Sequence, residues 1–286
     1  MREGFLIGGG LVVTGLMLEM SVGPVVWDMF RWPVNIIFLA ISAILMIGVF
    51  LLRKRVFAFR FIATAAATVP ALSYALALTI IMGLTRQTVD GVWINNMLTF
   101  WPFVLIYTYI AVILAQVILR RLSVLRSMRD WPFLLNHLGL LIAMVCATLG
   151  NADMRRMKMI TSLDGPEWRA FGENGEIREL PIAVELRRFI METYDDGSPR
   201  RFASDVTVMT ESGKCFDAVV DVNHPVEVDG WMIYQYGYDT LRGTDGRISI
   251  LELVHDPWLP YVYAGIIMML AGALCMFVTG VRRRKK

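Results

Sequence analysis

The chain has 286 residues, of which 56% are hydrophobic and only 19% charged, and its mean hydropathy of +0.54 lies outside the range of soluble domains. The formal charge of +3 comes from basic residues flanking apolar stretches, so it speaks for membrane topology and against a nucleic-acid surface. Cys146, Cys215 and Cys275 form no Cys-x-x-Cys pair, which argues against a disulfide framework and against a thiol oxidoreductase.

In chain order, near-continuous apolar stretches occupy residues 5–26, 34–52, 61–84, 98–119, 132–149 and 258–280. Each approaches the roughly 20 residues needed to cross a hydrocarbon core. The first is too long for a signal peptide and leads through Gly23-Pro24 into the second, so it is read as a span. Basic clusters then set orientation, because Lys and Arg near spans stay on the cytoplasmic side. They fall at Arg53, Lys54, Arg55 and Arg60, at Arg120, Arg121, Arg126 and Arg129, and from Arg282 to Lys286. Both termini are therefore expected inside, and residues 151–257 outside, although Arg155, Arg156 and Lys158 pull the other way. The expected division is a five-helix region over 1–150, an outer domain over 151–257, and a last helix with its basic tail over 258–286. Glu19, near the outer end of the first span, is expected to snorkel to the interface. Pro70 is the kink candidate in the third.

From Leu180 onward the pattern changes to short β-favouring runs. Strands are predicted at 182–193, 203–209, 215–222, 231–238 and 248–254. Turn residues separate them at 195–199, 211–213, 228–230 and 243–246. The segment 152–179 shows no clear period and reads as a loop laid along the domain or a mobile stretch. The fold class is a polytopic α-helical membrane protein of about six transmembrane helices, carrying an extracytoplasmic β-rich sandwich or barrel-like domain.

Several motifs resemble a known family. Val222-Asn223-His224-Pro225-Val226, followed by Gly230-Trp231-Met232-Ile233-Tyr234-Gln235-Tyr236-Gly237-Tyr238, resembles the signature of ResB proteins of System II cytochrome c biogenesis. The run from Asp256 to Gly265 resembles the entry to that family's last helix, and Asn136-His137-Leu138-Gly139-Leu140 with Leu149-Gly150 the helix before its outer domain. The chain departs from the family in its compact outer domain and in having more helices before it. The resemblance implies a non-catalytic subunit of a haem lyase complex in the bacterial cytoplasmic membrane. Such a subunit works with a CcsA-type partner to handle or export haem b and to assist its attachment to apocytochrome c. The partner's tryptophan-rich haem loop is absent here, and with no Cys-x-x-Cys-His this chain cannot attach haem to itself.

His137 is the sharpest site residue. It lies about five residues into the fifth span, on the order of 8 Å deep at 1.5 Å per residue, where an unpaired imidazole is costly. One reading makes it an axial haem-iron ligand; the other has it bond a neighbouring helix, together with Asn136. Gly139, Ala143, Ala147 and Gly150 form a small-residue stripe on the face opposite His137, suited to close packing within the chain. That leaves His137, Leu141 and Met144 to be presented on the other side. No other histidine lies in a span, so a second axial ligand has to come from the partner's helices or a Met sulfur. His224 reads as part of a proline-shaped turn and His255 as an interfacial residue beside Asp256. Asn223, Pro225, Tyr234 and Tyr236 are the expected partner-binding residues, with one member of the tyrosine pair facing outward. A scaffold whose outer domain docks another membrane protein without binding haem is the rival function. A solute transporter lacks the expected paired broken helices.

Overall fold

The computed structural model describes every residue except 89–90, 125–129, 173–174, 197, 240–245 and 285–286, with backbone alone at 199 and 279–284. Arg126, Arg129, the 243–245 part of a predicted turn, Gly197 of another and the last two tail residues therefore lie outside the described residues. Two units result: Met1–Asp153 together with Trp258–Lys286, and Met154–Pro257.

The helical unit contains α1 (Arg2–Val22), α2 (Val34–Leu52), α3 (Phe57–Ile62), α4 (Ala65–Leu84), α5 (Trp101–Ser123), α6 (Trp131–Gly150) and α7 (Leu259–Arg284). All but the six-residue α3 are long and apolar enough to cross a membrane. The stretch expected as one span over 61–84 is broken, because the chain becomes extended at Thr64, whose hydroxyl bonds the Phe61 carbonyl at 2.6 Å. Pro70 sits inside α4 and is buried.

Lipid supplies little hydrophobic drive between helices, so small residues that let backbones approach take over. A β-carbon on Gly15 of α1 would lie 2.5 Å from the Pro102 nitrogen of α5. On α6, one on Gly139 would lie 2.5 Å from the Gly265 carbonyl oxygen of α7, and one on Gly265 2.6 Å from the Ala143 nitrogen. The predicted small-residue stripe of the fifth span is thus an intrachain seam against α7. Asn136 reinforces it by donating to the Met269 carbonyl at 2.9 Å. Leu141 and Met144 depart from expectation: they pack against Leu114, Ile118 and Leu134, on the seam between α5 and α6.

The buried side chains of Glu19, Asn35 and Gln116 are partnered, as a water-free surrounding demands, whereas the buried Tyr109 hydroxyl and Arg121 Nε make no hydrogen bond among the described residues. Gln116 of α5 donates to the Met46 carbonyl of α2 at 2.9 Å. Glu19 does not snorkel. It is only 6% exposed and accepts from the Trp101 backbone N–H at 3.1 Å. Its carboxylate caps α5, where the first N–H groups lack helical partners and the dipole favours negative charge.

The second unit is one antiparallel sheet of eight strands in the order β5-β4-β3-β2-β1-β8-β7-β6, curled towards a nearly closed barrel. Its strands are β1 (Arg155–Ser162), β2 (Glu167–Phe171), β3 (Ile177–Thr193), β4 (Pro199–Thr210), β5 (Cys215–Asp221), β6 (Val226–Val228), β7 (Trp231–Tyr238) and β8 (Ile248–His255). The five predicted strands are all present. The expectation of an aperiodic segment over 152–179 fails, since β1 is central and β2 joins it to β3. Met157, Met159 and Thr161 of β1 point inward between exposed Arg156, Lys158 and Ile160. Methionine and threonine disguise the alternation, and the exposed isoleucine blurs it further.

The interior holds Ile182, Val184, Leu186, Val206, Val208, Ile233, Leu251 and Leu253, all buried. A polar knot lies among the strands: Ser204 Oγ bonds Gln235 Oε1 at 2.7 Å and Ser249 Oγ at 2.6 Å. Thr161 donates to the Ser249 carbonyl at 3.1 Å. A satisfied network of this kind fixes register without leaving polar atoms orphaned.

Candidate functional site

His137 stands on the second turn of α6, partly buried. Its Nδ1 lies 2.9 Å from the Phe133 carbonyl one turn earlier, and since a carbonyl only accepts, that nitrogen carries the proton. The tautomer leaves a lone pair on Nε2. The Phe133 ring stacks on the imidazole, with centroids 3.8 Å apart and planes at 25°. On Phe133 in turn rests the Arg121 guanidinium, 5.4 Å from the ring centroid, itself paired with Asp130. A column of Arg121, Phe133 and His137 results, in which a local hydrogen bond and a stacked ring fix the imidazole's orientation. Of the pair expected to bond a neighbouring helix, Asn136 does so, to α7, whereas His137 bonds within its own helix. For a metal, the imidazole offers one neutral nitrogen of the kind that ligates haem iron. Phe133 and Arg121 carried no sequence signal beyond the i, i+4 spacing of Phe133 to His137.

The other predicted residues belong to the β unit. Tyr234 and Tyr236 are both exposed, so both members of the pair face outward, where one was expected. Trp231 and Ile233 point inward. The register of β7 on β8 then shifts between Gln235 and Gly237, and beyond this bulge Tyr238 packs against Phe189 and Phe202, with centroids 5.2 and 5.0 Å away. A bulge of one residue reverses the facing of everything after it, which strict alternation along 231–238 does not foresee. Lys158 of β1 lays its ammonium 3.8 Å from the Tyr236 centroid. Glu252 of β8 pairs in register with both Lys158 and Tyr234.

Pro225 immediately precedes, and Tyr234 immediately follows, the Val226↔Ile233 pair, so the proline turn and the tyrosines share one end of the β6–β7 hairpin. Asn223 holds φ at 65°, a left-handed conformation Asn tolerates, and the turn closes through an Asp221↔His224 bridge. His224 is exposed and part of that turn. His255 bonds the Gly230 carbonyl at 2.9 Å and lies against Trp231, 5.1 Å between centroids. Asp221 is held below the usual carboxylate range, chiefly by its bond from Arg201. Among the described residues no cluster of three or more His, Cys, Asp or Glu is placed to hold a metal ion.

A third constellation escaped the sequence altogether. Asp153, just past α6, receives hydrogen bonds from the Trp32 backbone N–H, the Asn35 amide and the Trp258 indole. It fastens the starts of α2 and α7 to the end of α6.

Residues 126–246 match the model of the ResB-like family. The match begins before α6, includes His137 and the Asn223–Tyr236 segment, and ends before β8. No curated protein matches the chain. Among solved structures, one titled Cytochrome c Heme Lyase CcmF is similar with a TM-score of 0.35 and 13% identity. That likeness covers 73% of this chain and 38% of the other; overlap so slight lends no argument for fold or chemistry.

Proposed function

We propose that this chain is a membrane subunit of cytochrome c biogenesis. With a CcsA-type partner it handles or exports haem and assists its attachment to apocytochrome c outside the cytoplasm. The observation carrying this reading is the ResB-like match over 126–246, which encloses the one span-borne histidine whose Nε2 lone pair is left available. His137 would offer its Nε2 to the haem iron, its orientation set by Phe133, and a second ligand would come from the partner's helices or a Met sulfur. Ligation fixes the position of the cargo; covalent attachment lies with the partner. The β unit lies on the outer face of the bacterial cytoplasmic membrane, with both termini inside. There Asn223, Pro225, Tyr234 and Tyr236 present a rigid amphipathic patch of the type interfaces favour.

The test is reconstitution of cytochrome c maturation in a strain lacking this gene, with spectra of the chain purified alone and together with its partner. The expected result is loss of mature cytochrome without the gene and a Soret band in the co-purified complex. A docking scaffold without haem predicts the first result and no Soret band in any combination.

A further inference from the structure

The column that orients His137 also places a cation. The imidazole and the Phe133 ring stack with centroids 3.8 Å apart and planes at 25°, and the Arg121 guanidinium carbon stands 5.4 Å from the Phe133 centroid. Those two legs together bound the distance from cation to imidazole. An axial imidazole binds iron in its own ring plane, so a porphyrin held at Nε2 stands across that plane. A column built by ring stacking therefore runs alongside the porphyrin, towards its rim. Arg121 lies in the last turn of α5, its side chain 42% exposed against 14% for its partner Asp130. Nη2 bonds Asp130, and Nε is enclosed without a partner among the described residues. No hydrogen bond engages Nη1 among the described residues, so one arm of the guanidinium fork is open to a second carboxylate.

We propose that Arg121 receives a propionate of the haem whose iron meets His137, an inference that rests on the haem reading above. Haem carries two carboxylates on one edge, and a carboxylate drawn out of water is costly unless a cation meets it. Arginine suits that task, because its planar fork bonds a carboxylate while its other arm keeps Asp130. Propionates and vinyl groups occupy opposite edges of haem b. Holding the propionate edge at Arg121 therefore turns the vinyl edge, where covalent attachment takes place, away from the basic end of α5.

The full chain, purified with its partner from haem-depleted cells, is titrated in detergent with reduced iron protoporphyrin IX and with its dimethyl ester, following the Soret band. Wild type is expected to bind the acid about ten- to a hundredfold more tightly than the ester, the worth of one charge-assisted hydrogen bond. Arg121→Gln removes that preference by weakening the acid alone, and Arg121→Lys, which keeps the charge without the fork, restores part of it. Equal affinities for acid and ester in wild type overturn the assignment, with no variant required to fold. An equal loss for both ligands in Arg121→Gln also overturns it, by making Arg121 a prop for Phe133. A Soret band that His137→Ala lowers and Arg121→Gln leaves unchanged overturns this inference alone. Absence of any band in wild type overturns the haem reading, and this inference with it.

Discussion

Trp258, at the entry to α7, donates its indole N–H to the Asp153 carboxylate at 2.7 Å, across 105 positions of sequence. The Asn35 side chain, fully buried at the start of α2, donates to the same oxygen at 2.7 Å, and the Trp32 backbone N–H to the other at 2.8 Å. Asp153→Ala leaves a buried amide and a partly buried indole without their acceptor. A loss of about 1–3 kcal/mol follows for each buried donor orphaned, read as a lower melting temperature in detergent. Unchanged melting would remove Asp153 from the account of how α2, α6 and α7 are joined.

The same carboxylate gives a pH dependence. Burial pushes its pKa up, but donation from Trp32, Trp258 and Asn35, with the Arg31 charge nearby, outweighs burial and holds it below its ordinary value. A depressed carboxyl contributes stability in full above its unfolded value of about 4, and that contribution disappears as pH falls through the lower folded value. Melting of the wild type should therefore drop more steeply below about pH 4 than melting of Asp153→Asn, which cannot titrate. Parallel curves would contradict the assignment.

The α6–α7 seam predicts a contrast between glycines. Gly265→Val places side-chain atoms against the α6 backbone, where the β-carbon alone would stand 2.6 Å from the Ala143 nitrogen, and overpacking of this kind costs about 1–3 kcal/mol. Gly10→Ala in α1 meets nothing within 4 Å and should be neutral or slightly stabilising through helix propensity. Equal effects of the two would mean that the seam does not hold the helices together.

How much of this was legible beforehand depends on what signal each residue leaves in the sequence. Spans and the five predicted strands announce themselves through hydrophobic runs and β-branched alternation. The Gly139, Ala143 and Gly150 stripe was visible too, because small residues at helical spacing have few other uses in lipid. β1 was missed because its inward residues are Met157, Met159 and Thr161. The facing of Tyr238 was missed because a bulge has no residue signature here, whereas Tyr236, two residues from Tyr234, shares its face by simple alternation. Glu19 and Asp153 were unreadable for another reason: their partners, Trp101 and Trp258, lie 82 and 105 positions away, and only the fold brings them together.

The outward tyrosines predict a separation of roles. Tyr234→Ala and Tyr236→Ala change exposed side chains, so stability should move by no more than about 0.5 kcal/mol. Tyr236→Ala also releases Lys158 from the ring beneath it. Co-purification with the partner, or cytochrome maturation, should fall in at least one of them while haem recovered with the chain stays constant. Loss of haem with assembly intact would show that this patch serves the cofactor and not an interface.

Orientation is tested in a background lacking Cys146, Cys215 and Cys275. An impermeant thiol reagent applied to intact cells stripped of outer membrane should label Ser212→Cys and spare Lys54→Cys, which labels only after lysis. The opposite pattern inverts the topology.

The most direct test of the central claim is the absorption spectrum of the complex carrying His137→Ala, with and without added imidazole. The Phe133 and Arg121 column remains intact in this variant, so helix insertion should be preserved. The account predicts that the Soret band and mature cytochrome c fall together, and that exogenous imidazole restores the band by taking the place of the missing ligand. A full Soret band in His137→Ala without imidazole would contradict it and leave His137 as a side chain that only packs against Phe133.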